Sequence, residues 1–232
     1  MSTNNTSSKT PVSENSASSS VKGGPAAAHV PGASGGAAVM RADNRERTKK
    51  IVGTAALTAI VIVLQLLGSF IRFGPFSISL VLIPIIVGAA MYGIAVGGWL
   101  GFVFGAAVMI SGDANLFFGI SVVGTVITVL LKGTLAGLLS GLVYTALKNK
   151  GRYLAVIIAA IVCPVVNTGI FLIGCALFFM DTINTWAAGA GFDNVGAYLI
   201  IGMVGVNFLV ELAVNVVLSP VVVRLIDFGR RR

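Results

Sequence analysis

Charge is scarce in this chain, and so are the residues that usually carry chemistry. Only 10% of its 232 residues are Asp, Glu, Lys or Arg, against about 25% in an average soluble domain. The single histidine, His29, lies in a polar N-terminal stretch, so no His-based metal site or proton relay can be assembled. The two cysteines, Cys163 and Cys175, exclude a disulfide framework. They fall on one expected helix, roughly 18 Å apart at about 1.5 Å per residue, which is too far to bridge. No Gly-x-x-x-x-Gly-Lys-Ser/Thr loop is present, so ATP is not bound in that way. No Ser-His-Asp set and no metal-binding His/Glu helix appears either. These absences argue against an enzyme, and no cofactor is expected.

What the chain has instead is apolar length. It is 56% hydrophobic with a mean hydropathy of +0.96. Residues 1–40 are rich in Ser, Asn, Thr, Gly, Ala and Pro and should be disordered, because they cannot bury enough apolar surface to fold. Residues 41–50 (RADNRERTKK) form a basic collar that completes a tail over 1–50. Beyond it, apolar segments are expected at about 51–70, 76–92, 94–110, 117–147, 153–180 and 197–223, most of them near the roughly 17–25 residues that span a bilayer. The fold class is therefore an all-α membrane protein with six transmembrane helices over 51–227, followed by a short basic tail over 228–232. The weakest boundary lies between the second and third segments, where the turn is short and uncharged.

The net charge of +8 does not point to nucleic acid, because the basic residues fall where membrane topology places them. Arg41, Arg45, Arg47, Lys49 and Lys50 precede the first segment. Lys148, Lys150 and Arg152 separate the fourth and fifth, and Arg224, Arg230, Arg231 and Arg232 end the chain. The opposite side carries Arg72 beside Asp113, Asp181 and Asp193. Lys and Arg favour the cytoplasmic face, so six crossings put both termini there, whereas five would split the basic ends.

Small residues mark the packing seams. Gly97, Gly101 and Gly105 repeat every four residues, as do Gly133, Gly137 and Gly141. That spacing puts them on one helix face and lets backbones approach closely, chiefly within the molecule. Ala55 and Ala59 form a further pair near the start of the first helix, equally suited to internal packing or to a partner.

Against this apolar background stand Lys132 and Glu211, each near the middle of a segment. An ionisable residue at bilayer depth is costly and marks a functional site by default. Asn167 has a similar depth on a third helix, and Gln65 lies nearer the outside. Asn207 sits one turn outward of Glu211 on the same face, with Asn215 inward, and Thr128 sits one turn outward of Lys132. Two arrangements fit: a structural Lys132–Glu211 ion pair, or a substrate pocket rimmed by Thr128, Asn207, Gln65 and Asn167. More polar side chains gather at this depth than an ion pair needs, which favours the pocket. Pro84 and Pro164 should each free a carbonyl and bend a helix, Pro164 beside Asn167. The polar loop 111–117, with Asn115, and the longer stretch 180–194, with Trp186, are candidates to close the pocket. Trp186 suits an interfacial anchor as well as a stacking contact.

From about residue 48 to 227 the chain resembles the substrate-binding S components of energy-coupling factor (ECF) vitamin transporters. The likeness rests on size, six helices with cytoplasmic ends, and the Ala55-x-x-x-Ala59 pair. It rests also on FGPFSISLVLIPIIVGAAMYG (73–93) entering a glycine-rich helix, and on NFLVELAVNVVLSP (207–220). The N-terminal tail departs from the compact family pattern. The resemblance implies a subunit that binds a small-molecule vitamin from outside and docks through its first helix onto a transmembrane coupling protein. Two cytoplasmic ATPase subunits would drive that partner, and Ala55 and Ala59 map onto the docking motif. The pocket residues do not map, since each vitamin subfamily has its own. A buried cation suits a carboxylate, and the IPI segment around Pro84 looks like pantothenate-type members, which puts pantothenate first and riboflavin or folate behind it. The expected setting is the plasma membrane of a prokaryote, in contact with lipid. The rival readings are a stand-alone secondary carrier coupled through Lys132 and Glu211, and a non-transporting membrane assembly protein.

Overall fold

The computed structural model describes residues 33–70, 72–73, 76–77 and 80–231, with side-chain surroundings defined over 43–70 and 80–229. Its contacts divide the chain into two units, Met1–Ala42 and Asp43–Arg232. Within the first, residues 33–42 are helical, and the rest of the tail expected to be disordered lies outside the described residues. Helix α1 runs Ala33–Gly68.

The second unit is built from helices: α2 (Leu82–Tyr92), α3 (Ile94–Ile110), α4 (Asn115–Phe118), α5 (Val122–Leu147), α6 (Arg152–Phe178), α7 (Met180–Gly189), α8 (Val195–Ala197), a π-helical stretch Tyr198–Gly205, α9 (Val206–Val217) and α10 (Ser219–Arg231). Two-residue strands β1 (Arg72–Phe73) and β2 (Phe76–Ser77) pair antiparallel, Arg72 opposite Ser77 and Phe73 opposite Phe76. Four helices are long and apolar enough to cross a membrane: Asp43–Gly68, Val122–Leu147, Arg152–Phe178 and Val195–Val217. Leu82–Tyr92 and Ile94–Ile110 are shorter apolar helices.

Several boundaries differ from the sequence expectation. The second helix starts at Leu82 rather than Phe76, because β2 takes Phe76 and Ser77. At 11 residues it is only about 16 Å long. Pro84 thereby falls in the first turn of α2, where its missing N–H costs nothing, and is not a mid-helix break. The segment expected over 117–147 is divided at 119–121, and Ser121 caps α5 by accepting a hydrogen bond from the Gly124 amide at 3.2 Å. The stretch 180–194, expected as loop, contains α7, which buries Ile183 and Ala187. The last segment breaks at Leu218, between α9 and α10.

The glycine stripes do what their spacing predicts. A Cβ on Gly101 would overlap the Gly133 carbonyl, one on Gly137 the Gly97 carbonyl, and one on Gly105 would lie 2.7 Å from the Val129 carbonyl. α3 and α5 therefore pack backbone to backbone, α6 lies against α5, and α9 lies against α6. Large apolar side chains remain outside: Ile51, Leu67, Val123, Leu177, Ile201 and Val217 are all more than half exposed. The buried set holds Gln65, Asn167, Glu211 and Asn215 instead. Apolar surface outward with polar residues inward is the arrangement a bilayer imposes on a helix bundle. Arg152, at the start of α6, pairs with Asp227 of α10. Cys163 and Cys175 are buried and free.

Candidate functional site

Two apolar clusters organise the interior. One joins Phe104, Val108 and Val129 to residues of α1, α2, α6 and α10. The other is aromatic, built from Phe117, Phe171, Phe179, Ile183 and Met203. Between them lies a cavity of about 70 Å³ with side chains of both clusters in its walls. Its polar lining comes from five segments of chain: Gln65 on α1, Asp113 between α3 and α4, Lys132 on α5, Asn167 and Thr168 on α6, and Asn207 and Glu211 on α9.

Lys132 is held by aromatic faces and by charge. Its Nζ lies 5.3 Å from the centroid of the Phe171 ring and 5.9 Å from that of Phe104, both within cation–π range. Glu211 and Asp113 both act on it electrostatically. Glu211 is 2% exposed and accepts a hydrogen bond from Asn207 Nδ2 at 3.3 Å. Asn215 Nδ2 donates to the Glu211 backbone carbonyl at 2.8 Å, and Ser219 Oγ donates to the Asn215 carbonyl at 3.0 Å. This ladder follows from placing hydrogen-bonding residues four apart on one helix.

The opposite wall is a second network. Gln65 Nε2 donates to Asp113 Oδ2 at 2.7 Å and to Ser111 Oγ at 3.3 Å, while Ser111 Oγ lies 3.2 Å from Asp113 Oδ2. Gly112, with φ of 84°, makes the turn that brings Asp113 beneath Gln65. Two of the cavity-lining residues carry a buried acceptor with no hydrogen-bond partner, Asn167 Oδ1 and Asn207 Oδ1.

Five residues expected at the site line this cavity together: Lys132, Asn167, Asn207, Glu211 and Gln65. Three do not line it. Thr128 is buried against α6, where a Cβ on Gly174 would strike it, and its hydroxyl has no partner. Asn115 is exposed at the start of α4, and its neighbours Ala114 and Phe117 reach the cavity instead. Trp186 stands one layer back, its ring edge-on to Phe117 at 6.1 Å. Sequence reasoning missed Asp113, Phe104 and Phe171. Asp113 reads as an ordinary loop charge, and a Phe in an apolar helix reads as core. The one available signal was Gly112-Asp113 directly after a span. Among the described residues no group of three or more His, Cys, Asp or Glu is placed to hold a metal.

Ala55 and Ala59, the expected docking pair, are both exposed on α1. Beside them Thr54, Ala55 and Thr58 form a shallow groove with Trp99, whose Nε1 donates to Thr58 Oγ1 at 3.3 Å.

Comparison with known proteins places this geometry in context. No curated protein and no solved structure matches the chain. A family model described as ECF transporter, substrate-specific component, matches residues 49–223, which takes in every helix from the membrane part of α1 into α10. Substrate-binding subunits of this kind are transport components and not enzymes, in keeping with a multi-pass helix bundle around a polar cavity. By that match, the chain belongs to the ECF transporter substrate-specific component family.

Proposed function

We propose that this chain captures a B-group vitamin from outside a prokaryotic cell and delivers it to an ATP-driven module. The module would comprise a transmembrane coupling protein and two cytoplasmic ATPase subunits. The observation that carries the proposal is the cavity itself. Lys132, Asn167, Asn207 and Glu211 converge on one space inside a bundle whose exterior is apolar. Polar groups at such depth are expensive and persist where they bind something. Trp186 and the α7 segment supply material to close the site, and Thr128 and Asn115 support its walls. The candidate cargoes are pantothenate, riboflavin and folate. In this reading α2 and α3 cross with the four longer helices, giving six crossings and both termini in the cytoplasm.

Docking is assigned to α1, where Ala55 and Ala59 leave a smooth exposed strip for a partner helix. The experiment compares ligand binding by purified protein with uptake in cells carrying the whole transporter. Ala59→Trp should leave binding intact and abolish uptake. Loss of both, or of neither, would count against docking through α1. Uptake that persists without the ATPase subunits would favour a stand-alone carrier using Lys132 and Glu211.

A further inference from the structure

The cavity wall shows more about its ligand than a lone buried lysine does. Lys132 suggests a carboxylate-bearing cargo, yet two carboxylates share the space with it. The lining sets one ammonium against Asp113 and Glu211. Both act on Lys132, whose Nζ also lies over the Phe171 and Phe104 rings. A ligand carboxylate entering here would compete with two resident ones for a single cation and would meet their repulsion. At the low effective dielectric of an interior, like charges at close range are strongly disfavoured.

The hydrogen-bonding groups point the same way. Asn207 Nδ2 is committed to Glu211 Oε1, which fixes the amide and leaves its buried Oδ1 with no partner. Asn167 is 5% exposed, and its Oδ1 also lacks a partner. Gln65 spends its Nε2 on Asp113 and Ser111. Two donors in the wall, Asn207 Nδ2 and Gln65 Nε2, are thus engaged by protein acceptors, while the Asn167 and Asn207 Oδ1 acceptors have no partner. Buried acceptors without partners are costly and define what a ligand must bring. Phe104, Phe117 and Phe171 add flat apolar faces around them.

We infer that the cavity selects a neutral or cationic ring compound bearing N–H or O–H donors, and discriminates against a free carboxylate. Asn207 Oδ1 and Asn167 Oδ1 accept from it, and Asp113 and Glu211 set the charge it tolerates. The inference rests on the vitamin-capture reading and narrows its cargo.

The test uses the full chain, purified folded and free of ligand, with pantothenate as the anionic probe, riboflavin as the neutral one and thiamine as the cationic one. Affinities are read from thermal shifts and equilibrium titration. Riboflavin or thiamine should bind at least tenfold more tightly than pantothenate. Asn207→Leu should weaken the preferred probe by about tenfold, the worth of one buried hydrogen bond. Asp113→Asn keeps the hydrogen-bonding shape on a partly exposed loop, removes one negative charge and should shift the preference toward pantothenate by a similar factor. Pantothenate binding as tightly as the others in the unaltered protein, or a preference unmoved by Asp113→Asn, overturns the inference while leaving vitamin capture standing. Folded protein that responds to none of the three, nor to folate or any other B-group vitamin, overturns both.

Discussion

Lys132 and Glu211 show how a charge is kept inside an apolar bundle. Neither stands alone: rings flank the ammonium, and Asn207 donates to the carboxylate. Removing one member leaves the other buried and poorly compensated, which costs about 3–5 kcal/mol in comparable pairs. Lys132→Met should therefore lower the unfolding midpoint of the purified protein sharply. The double variant Lys132→Met/Glu211→Leu should recover much of the loss, because neither charge is then stranded. A double variant no better than the single would show that the two are not energetically coupled. The Arg152–Asp227 pair is the contrast, since both side chains are about 40% exposed, and exposed pairs contribute roughly 0–1 kcal/mol. At this scale Lys132, Asn167, Asn207 and Glu211 were readable in the sequence because a polar residue inside an apolar run has no other ready explanation. Asp113 was not, because its approach to Gln65 depends on a left-handed turn at Gly112 that no local pattern announces.

Among elements, the α3–α5 pair sets the spacing of everything else. Gly101 and Gly133 face each other closely enough that neither tolerates a Cβ without movement. Gly101→Leu should cost at least about 1–3 kcal/mol through overpacking, and the same change at exposed Gly189 should be far milder. Comparing the thermal unfolding of the two variants checks this, and equal effects would mean that the glycine seam is not rigid. The seam was legible because small residues four apart have one geometric meaning. The start of α2 was not, because Phe76 and Ser77 join an apolar run whose hairpin pairing is set by the chain around them. Nor was the π-helical stretch Tyr198–Gly205. It uses the same residues as an α-helix but spaces its hydrogen bonds five apart, often at functional sites. It lies immediately before α9 and so sets the rotation at which Asn207 and Glu211 reach the cavity.

For the whole molecule, composition alone establishes a membrane-embedded helix bundle, and the exposed apolar belt agrees with it. Crossing number is harder to read, because α2 has 11 residues and α3 has 17, while a straight crossing takes roughly 20. Single cysteines at Lys49, Ile94 and Lys150, in a background with Cys163 and Cys175 replaced, test the count. In the six-helix arrangement two crossings separate Lys49 from Ile94 and two more separate Ile94 from Lys150, so all three should be labelled from the same side. Labelling of Ile94 from the side opposite Lys49 would mean that α2 does not cross.

The small cavity has a consequence for time. At about 70 Å³ it has room for two or so water molecules, whereas small-molecule sites commonly span roughly 300–1,000 Å³. A vitamin therefore enters only when the walls part, and an opening step holds association below the usual ~10⁵–10⁷ M⁻¹s⁻¹. For any given affinity, slow entry means proportionally slow escape. A captured molecule then has a long dwell, and the site works as a store that releases its cargo only when the walls part again.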